Sequence, residues 1–273
     1  MSRTAVVCVL LLASTIAALG DAAEDCDQLR DCDLRLKACS ALIETAEADA
    51  AKLAALYVKR GQGQLCKGGA DSDQLAIADY TKAIEIDPRS AVAYIARGWL
   101  HQNRGRVAEA LQDFTRAVEA DPNDAVAIRY RGLALFASGQ NDSAIADLDK
   151  AVALKPDDYV NYFRRGEVLY AMGQHERALA DFTKAIELSP SPETYGMRAY
   201  YHRQLGQYER AIADDDKRIE LLPDCAYCYY DRGLAYEKSG DKQRAIADYR
   251  KAITLKDSYH PPRAALERLG EVP

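Results

Sequence analysis

Five prolines, Pro88, Pro122, Pro156, Pro190 and Pro223, follow one another at intervals of 34, 34, 34 and 33 residues. An alanine column keeps the same beat through Ala76, Ala110, Ala144, Ala178, Ala211 and Ala245. So does a glycine column, Gly61, Gly98, Gly132, Gly166 and Gly233, in which Ala199 is the one lapse. Gly105, Gly139, Gly173, Gly206 and Gly240 trail that column by seven residues. Several independent columns on one period describe stacked copies of one supersecondary unit, not a chain wrapped around a single core. The 273 residues therefore record a repeat count.

One copy, residues 91–124, reads as two helices. Ala93-Tyr94-Ile95-Ala96-Arg97-Gly98-Trp99-Leu100 carries apolar residues at helical spacing, and that helix is expected to end near Asn103. Gly105 supplies a turn suited to left-handed backbone. Ala108 to Ala120 forms the second helix, with Ala110, Leu111, Phe114, Ala117 and Val118 as its apolar stripe. Asp121-Pro122 closes it, because the residue before proline is pushed out of the α region. Small Gly98 and Ala110 let the two backbones approach, while Tyr94 and Phe114 fill the remaining space. Such a hairpin buries only one face by itself, so it must stack on neighbours.

These residues resemble the tetratricopeptide repeat. That family's pattern is a large residue, Gly or Ala four on, Ala twelve further, an aromatic four later, Ala three after that, and a closing Pro. Here it stands as Tyr162, Gly166, Ala178, Phe182, Ala185 and Pro190. Tyr-x-x-Arg-Gly with Ala-Ile-Ala-Asp is similar to the bacterial branch. The resemblance covers about residues 54–259 in six units: 54–90, 91–124, 125–158, 159–191, 192–225 and 226–259. It implies an all-α fold, a right-handed α-solenoid whose concave groove is lined mainly by the first helix of each unit. On that geometry the groove positions are Ile95, Trp99, Arg129, Leu133, Phe136, Phe163, Glu167, Tyr170, Tyr200, Arg203, Tyr230, Leu234 and Glu237. Aromatic anchors with intermixed Arg suit hot spots for a peptide or protein, although some of these side chains are expected merely to seat adjacent helices. Relatives that clamp the acidic tails of heat-shock chaperones present a Lys/Asn/Arg set on this face. Trp99, Leu133 and Glu167 stand there instead, so that specificity is not expected.

Several units depart from the pattern. Gly61 to Ala76 spans 15 positions where other units have 12 or 13, and the extra residues fall in 61–69, which reads as a longer helix-helix turn. Leu34 to Glu44 reads as a second helix without its partner, a half-repeat within 23–53. The fifth unit is short by one, with Pro192 just after Pro190, and places Asp215 and Arg218 where others carry an aromatic or Leu and then Ala. Those two can pair at i,i+3. Pro261 to Leu269, closed by Gly270, reads as a capping helix within 260–273.

The N-terminus reads as a secretory signal over residues 1–22. Arg3 precedes an uncharged run from Thr4 to Gly20, and small residues follow it as Ala18-Leu19-Gly20 or Gly20-Asp21-Ala22. The rival is an uncleaved anchor, but the run is at the low limit for spanning a bilayer. Cleavage would leave a periplasmic or secreted chain with no stable membrane span. It would also leave six cysteines, Cys26, Cys32, Cys39, Cys66, Cys225 and Cys228, an even number in an oxidising compartment. A Cys26–Cys39 bridge could staple the N-terminal segment, with Cys32–Cys66 tying it to the first unit. Four cysteines nevertheless allow three schemes.

Little in the chain reads as catalytic. Columns of Arg60, Arg97, Arg131, Arg165, Arg198 and Arg232, and of Asp79, Asp113, Asp147, Asp181, Asp214 and Asp248, suggest a structural ladder of partly exposed ion pairs. Cys225-Ala226-Tyr227-Cys228 has the spacing of a thioredoxin motif at a helix start, but no βαβ pattern surrounds it. His101, His175, His202 and His260 show no metal spacing, and His101 and His202 fall in a packing column. Neither cofactor nor metal is expected. Asn141-Asp142-Ser143 fits a glycosylation acceptor, which matters only in a eukaryotic secretory pathway. A net charge of −6 argues against nucleic acid. The expected function is a non-enzymatic, exported scaffold or adaptor that binds protein or peptide. The alternatives are a disulfide oxidoreductase using Cys225 and Cys228, or a structural subunit of a cell-envelope complex.

Overall fold

The structure is a computed structural model and describes residue 26, residues 31–45 and residues 49–272. The expected signal segment lies outside these residues. Among the described residues every regular element is an α-helix, and no helix is long and apolar enough to cross a membrane.

The chain divides into two compact units, Met1–Leu154 and Lys155–Pro273. In the first, α1 (Cys32–Thr45) precedes three hairpins: α2 (Ala50–Lys67) with α3 (Ser72–Ile86), α4 (Ala91–Asn103) with α5 (Val107–Ala120), and α6 (Ala125–Ala137) with α7 (Asn141–Leu154). In the second, α8 (Tyr159–Ala171) pairs with α9 (His175–Leu188), α10 (Pro192–Gln204) with α11 (Tyr208–Leu221), and α12 (Ala226–Ser239) with α13 (Lys242–Leu255). The short α14 (Pro261–Arg268) ends that unit.

Each regular hairpin turns on a glycine in left-handed conformation; Gly105 has φ 72° and Gly139 φ 82°. Glycine enters that region without the steric cost a Cβ brings. The next residue's N–H then reaches back into the helix, as Arg106 N to His101 O at 2.8 Å. Helix starts are capped where the sequence permits. Asp124 accepts from Val126 N at 2.8 Å, and Ser191 forms a capping box with Thr194.

Packing within a hairpin explains the small-residue columns. The alanines from Ala76 to Ala245 are fully buried. A Cβ added at Gly61, Gly98, Gly166 or Gly233 would lie 2.6, 2.8, 2.6 or 2.6 Å from the ring of Tyr80, Phe114, Phe182 or Tyr249. The lapse to Ala199 has the same cause in reverse. Its hairpin carries Asp215 where the others carry a ring or Leu148, so a methyl group meets no aromatic edge there.

The Arg and Asp columns do pair between the two helices of each hairpin. Closest distances are 2.5 Å for Arg60–Asp79, 2.7 Å for Arg97–Asp113 and 2.6 Å for Arg131–Asp147. They are 2.7 Å for Arg165–Asp181, 2.6 Å for Arg198–Asp214 and 2.8 Å for Arg232–Asp248. The aspartates are buried and the pairs mostly two-pronged, while the arginines keep the ladder partly exposed, as the spacing suggests.

The long first unit differs from expectation. Residues 61–67 do not loop but extend α2 by further turns, and the turn falls at Gly68 and Gly69. The extension has a partner. A Cβ at Gly63 would stand 3.1 Å from Leu36 of α1, so the added turn forms the floor on which α1 rests. Cys66 on that turn faces Cys32, and the two lie at disulfide distance with Cα atoms 5.5 Å apart. Cys26 and Cys39 lie likewise at 5.0 Å, and Cys225 and Cys228 at 5.3 Å.

Candidate partner-binding face

The first helices of the hairpins present the positions expected to meet a partner. In the first unit α4 and α6 supply them. Trp99 is 42% exposed, whereas Ile95 packs against the buried cluster that includes Ala125 and Ile128, and Leu133 and Phe136 are half-buried. Arg129 is buried beside the Tyr130 ring, 5.8 Å from its centroid, so its guanidinium is a packing element and not an offered charge. Exposed Val92 and Val126 flank this set. Sequence reading passed over them, although Val92, Val126 and Val160 recur at 34-residue intervals, a periodic signal that was there to find.

In the second unit the expected residues divide into those that remain open and those already engaged. Phe163 stands 5.6 Å from the Phe182 ring and lines a recess of about 380 Å³ between α8 and α10. Tyr159, Val160, Arg164, Glu193, Thr194 and Met197 complete its wall. Tyr159 and Met197 are exposed beside it, as is Tyr200 one turn further along α10. Glu167 sits at the far end of α8's charge pair, accepting from Arg164 at 2.8 Å.

Tyr170 packs on Tyr201 at 4.4 Å and His175 at 4.8 Å between ring centroids. Tyr201 in turn stacks on Phe182 at 4.5 Å and touches Tyr200 at 5.1 Å. This buried tyrosine, its hydroxyl pushed up to about 12 by burial, ties the aromatic set together. Its column otherwise holds Gly63, Leu100, Ala134, Val168 and Ala235, all buried, which is why it does not read as a site residue.

The remaining positions are taken up inside the fold. Arg203 donates to Asp215 at 2.9 Å and to Asp231 at 3.2 Å. Tyr230 packs against Tyr249 at 5.8 Å and Tyr259 at 5.5 Å, and Leu234 joins the cluster beneath α14. Glu237 accepts from Tyr249 Oη at 2.6 Å and from Arg268 at 2.8 Å. Burial opposes its charge, yet these hydrogen bonds win and hold its carboxyl below the usual range. The open face of the second unit is therefore its α8–α10 portion.

His101 and His202 behave as packing residues. Each lies 3.9 Å from the ladder aspartate of its hairpin, Asp113 or Asp214, and burial depresses both imidazoles. Arg198, His202, Lys184 and Arg210 line a cleft of about 590 Å³ along α9, α10 and α11. Arg198 and Lys184 are paired with the carboxylates of Asp214 and Glu187, while His202 and Arg210 share the neutral amide oxygen of Gln207.

Signatures of the tetratricopeptide repeat match residues 74–125, 95–159, 161–192, 192–217 and 226–259. The chain belongs to the tetratricopeptide repeat family. Solved structures share its fold at low identity. A tetratricopeptide repeat protein from Parabacteroides merdae is 21% identical, with 92% of this chain and 98% of that chain covered and a TM-score of 0.66. PilW, a widely conserved type IV pilus biogenesis factor, is 19% identical over 79% of this chain and 99% of its own, with a TM-score of 0.68. YrrB, a TPR protein with an unusual peptide-binding site, is 23% identical over 69% of this chain and 97% of its own, at a TM-score of 0.52. No curated protein matches the chain in sequence.

Proposed function

We propose that this tetratricopeptide repeat protein is a non-enzymatic scaffold or adaptor that acts outside the cytoplasm and holds a peptide or protein segment. Contact is made on the first-helix faces of its hairpins. One observation carries the reading: the α8–α10 recess is apolar-walled, open, and ringed by the exposed side chains of Tyr159, Met197 and Tyr200. Exposed aromatic and Met side chains around a concavity are what a partner's apolar anchor fills. Trp99, Val92 and Val126 offer a similar apolar surface on the first unit. Three cysteine pairs at disulfide distance support action in an oxidising compartment. The similarity in fold to YrrB, a TPR protein with a peptide-binding site, is consistent with a peptide as ligand.

The test is to pan a random peptide library against the purified protein and measure binding of the enriched peptides by fluorescence anisotropy. Phe163→Ala with Met197→Ala should weaken those peptides at least tenfold while leaving the circular dichroism spectrum unchanged. Peptides that bind the double variant as tightly as the parent would remove the recess from the reading.

A further inference from the structure

Three cysteine pairs stand at disulfide distance, and they are not equivalent. Cys26 and Cys39 are both buried, at 1% and 0% exposure. Cys32 and Cys66 join elements 34 residues apart and fasten α1 to α2. Cys225 and Cys228 are separated by only three residues and lie in one turn. A bond across so short a loop removes far less chain entropy than one spanning 34 residues.

The turn it closes is already fastened. Cys228 N–H donates to Cys225 O at 3.0 Å, and Cys225 N–H donates to Leu222 O at 3.2 Å. Cys225 is the N-cap of α12, and its Sγ also accepts from Cys228 N–H at 3.2 Å. Opening the S–S bond would therefore leave the helix start capped and its hydrogen bonds intact. The two sulfurs also differ in access. Cys225 is half-buried at the helix entrance, whereas Cys228 is fully buried. Leu221, Leu222 and Tyr227, all exposed, flank that entrance in sequence.

We propose that Cys225–Cys228 is a thiol–disulfide exchange site that accepts electrons from a dithiol through Cys225 while the repeat stays folded. The thiolate of the dithiol attacks Cys225 Sγ, forming a mixed disulfide and expelling Cys228 as a thiolate, which takes up a proton. The second thiol of the donor loses its proton and attacks its own sulfur in the mixed disulfide, releasing Cys225 as a thiolate. The donor leaves oxidised to its disulfide, and the protein gains two electrons and two protons as a Cys225/Cys228 dithiol once both thiolates are protonated. The N–H groups of the first turn of α12 favour negative charge on Cys225 at each step in which it carries one. Exposure directs attack to half-buried Cys225 and away from fully buried Cys228.

The site is independent of the peptide-binding reading and is tested without a partner. The oxidised full-length protein is equilibrated with graded dithiothreitol, quenched in acid and alkylated, and each cysteine is quantified by peptide mass mapping, with far-ultraviolet circular dichroism in parallel. Cys225 and Cys228 should be alkylated at reductant levels at least tenfold below those needed for Cys26 and Cys39, with no loss of helicity. Reduction only together with unfolding, or after the buried pair, would overturn the proposal. Single variants then test direction. With glutathione disulfide, Cys228→Ser should form a mixed disulfide at Cys225 at least tenfold faster than Cys225→Ser forms one at Cys228. Equal rates, or faster reaction at Cys228, would overturn the assignment of Cys225 as the sulfur that exchanges with an outside partner.

Discussion

Arg203 Nη1 donates to Asp215 Oδ2 at 2.9 Å, and Asp215 is wholly buried. The same position holds Tyr80, Phe114, Leu148, Phe182 and Tyr249 in the other hairpins. The fifth hairpin has thus exchanged a ring for a polar cluster, with consequences on three neighbours. Arg218 replaces the usual alanine, reaches Asp231 at 2.6 Å and Asp215 at 3.7 Å, and lies over Gly196, where a Cβ would stand 2.8 Å from its Nε. A glycine facing Arg218 and an alanine at 199 are the adjustments that let a charged cluster sit in a hydrophobic repeat.

That cluster should give the protein a pH-dependent stability of unusual sign. Burial pushes the Asp215 carboxyl up to about 7, aided by Asp231 and Asp214 and opposed by Arg203 and Arg218. Between its ordinary value of 3.8 and about 7 the folded state holds a proton that the unfolded chain has released. Stability from this group therefore falls as pH rises through that window and levels off above it. Urea unfolding at a series of pH values should show Asp215→Asn lacking this fall. Parallel curves for parent and variant would mean that Asp215 titrates normally.

A second expectation follows from ring contact at the glycine column. Alanine is the better helix former by about 1 kcal/mol, yet Gly166→Ala would bring its Cβ to 2.6 Å from Phe182 Cε1. Overpacking costs about 1–3 kcal/mol, so the substitution should destabilise despite its propensity. Ala199→Gly, with no ring opposite, should cost about 1–2 kcal/mol, the propensity difference plus one buried methyl group. A cycle with Phe182→Leu separates the causes: denaturant midpoints should show Gly166→Ala costing less once the ring is gone.

Much of this fold was legible because periodicity reports shared constraints. The buried alanines and the Arg–Asp pairs recur at about 34 residues because their contacts repeat from hairpin to hairpin. Features made once are harder to read. The added turns of α2 looked like a loop because they contain Gly61 and Gly63, and only their packing against Tyr80 and Leu36 explains why glycine is tolerated in a helix there. Which side chains of the candidate face stay open and which are engaged was not legible. Nothing local distinguishes Arg203, engaged by Asp215 and Asp231, from an arginine open to a ligand, since its partners lie 12 and 28 residues away. Tyr159 and Met197 escaped notice because their exposure depends on which neighbour fails to cover them.

The Arg–Asp ladder predicts a contrast between buried and surface pairs. Asp147 is 8% exposed, and Arg131 donates to it through Nε at 2.6 Å and Nη2 at 2.7 Å. Asp147→Ala would leave that guanidinium without its carboxylate between two helices, a loss of about 3 kcal/mol. Glu220→Ala removes an exposed partner of Lys217, bonded at 2.7 Å, and should leave thermal unfolding unchanged. Equal shifts in melting temperature for the two variants would show that the ladder is no stronger than a surface pair.

The last expectation concerns the N-terminal helix. α1 rests on the extra turns of α2 through Leu36 against Gly63 and an exposed Lys67–Asp33 pair at 2.7 Å. Its own apolar face is narrow, with Ala38 and Cys39 its buried hydrophobics. Such an element depends on its covalent tie. Closing a loop of 34 residues through Cys32 and Cys66 contributes about 3–4 kcal/mol by chain entropy. Replacing both with Ser should therefore act locally: hydrogen exchange across Cys32–Thr45 should accelerate, while α4 to α7 keep their protection, because their glycine–ring and Arg–Asp contacts do not involve α1. Uniform loss of protection through the first unit would instead make α1 part of its cooperative core, and unchanged protection in α1 would mean that Leu36 and Cys39 alone suffice to seat it.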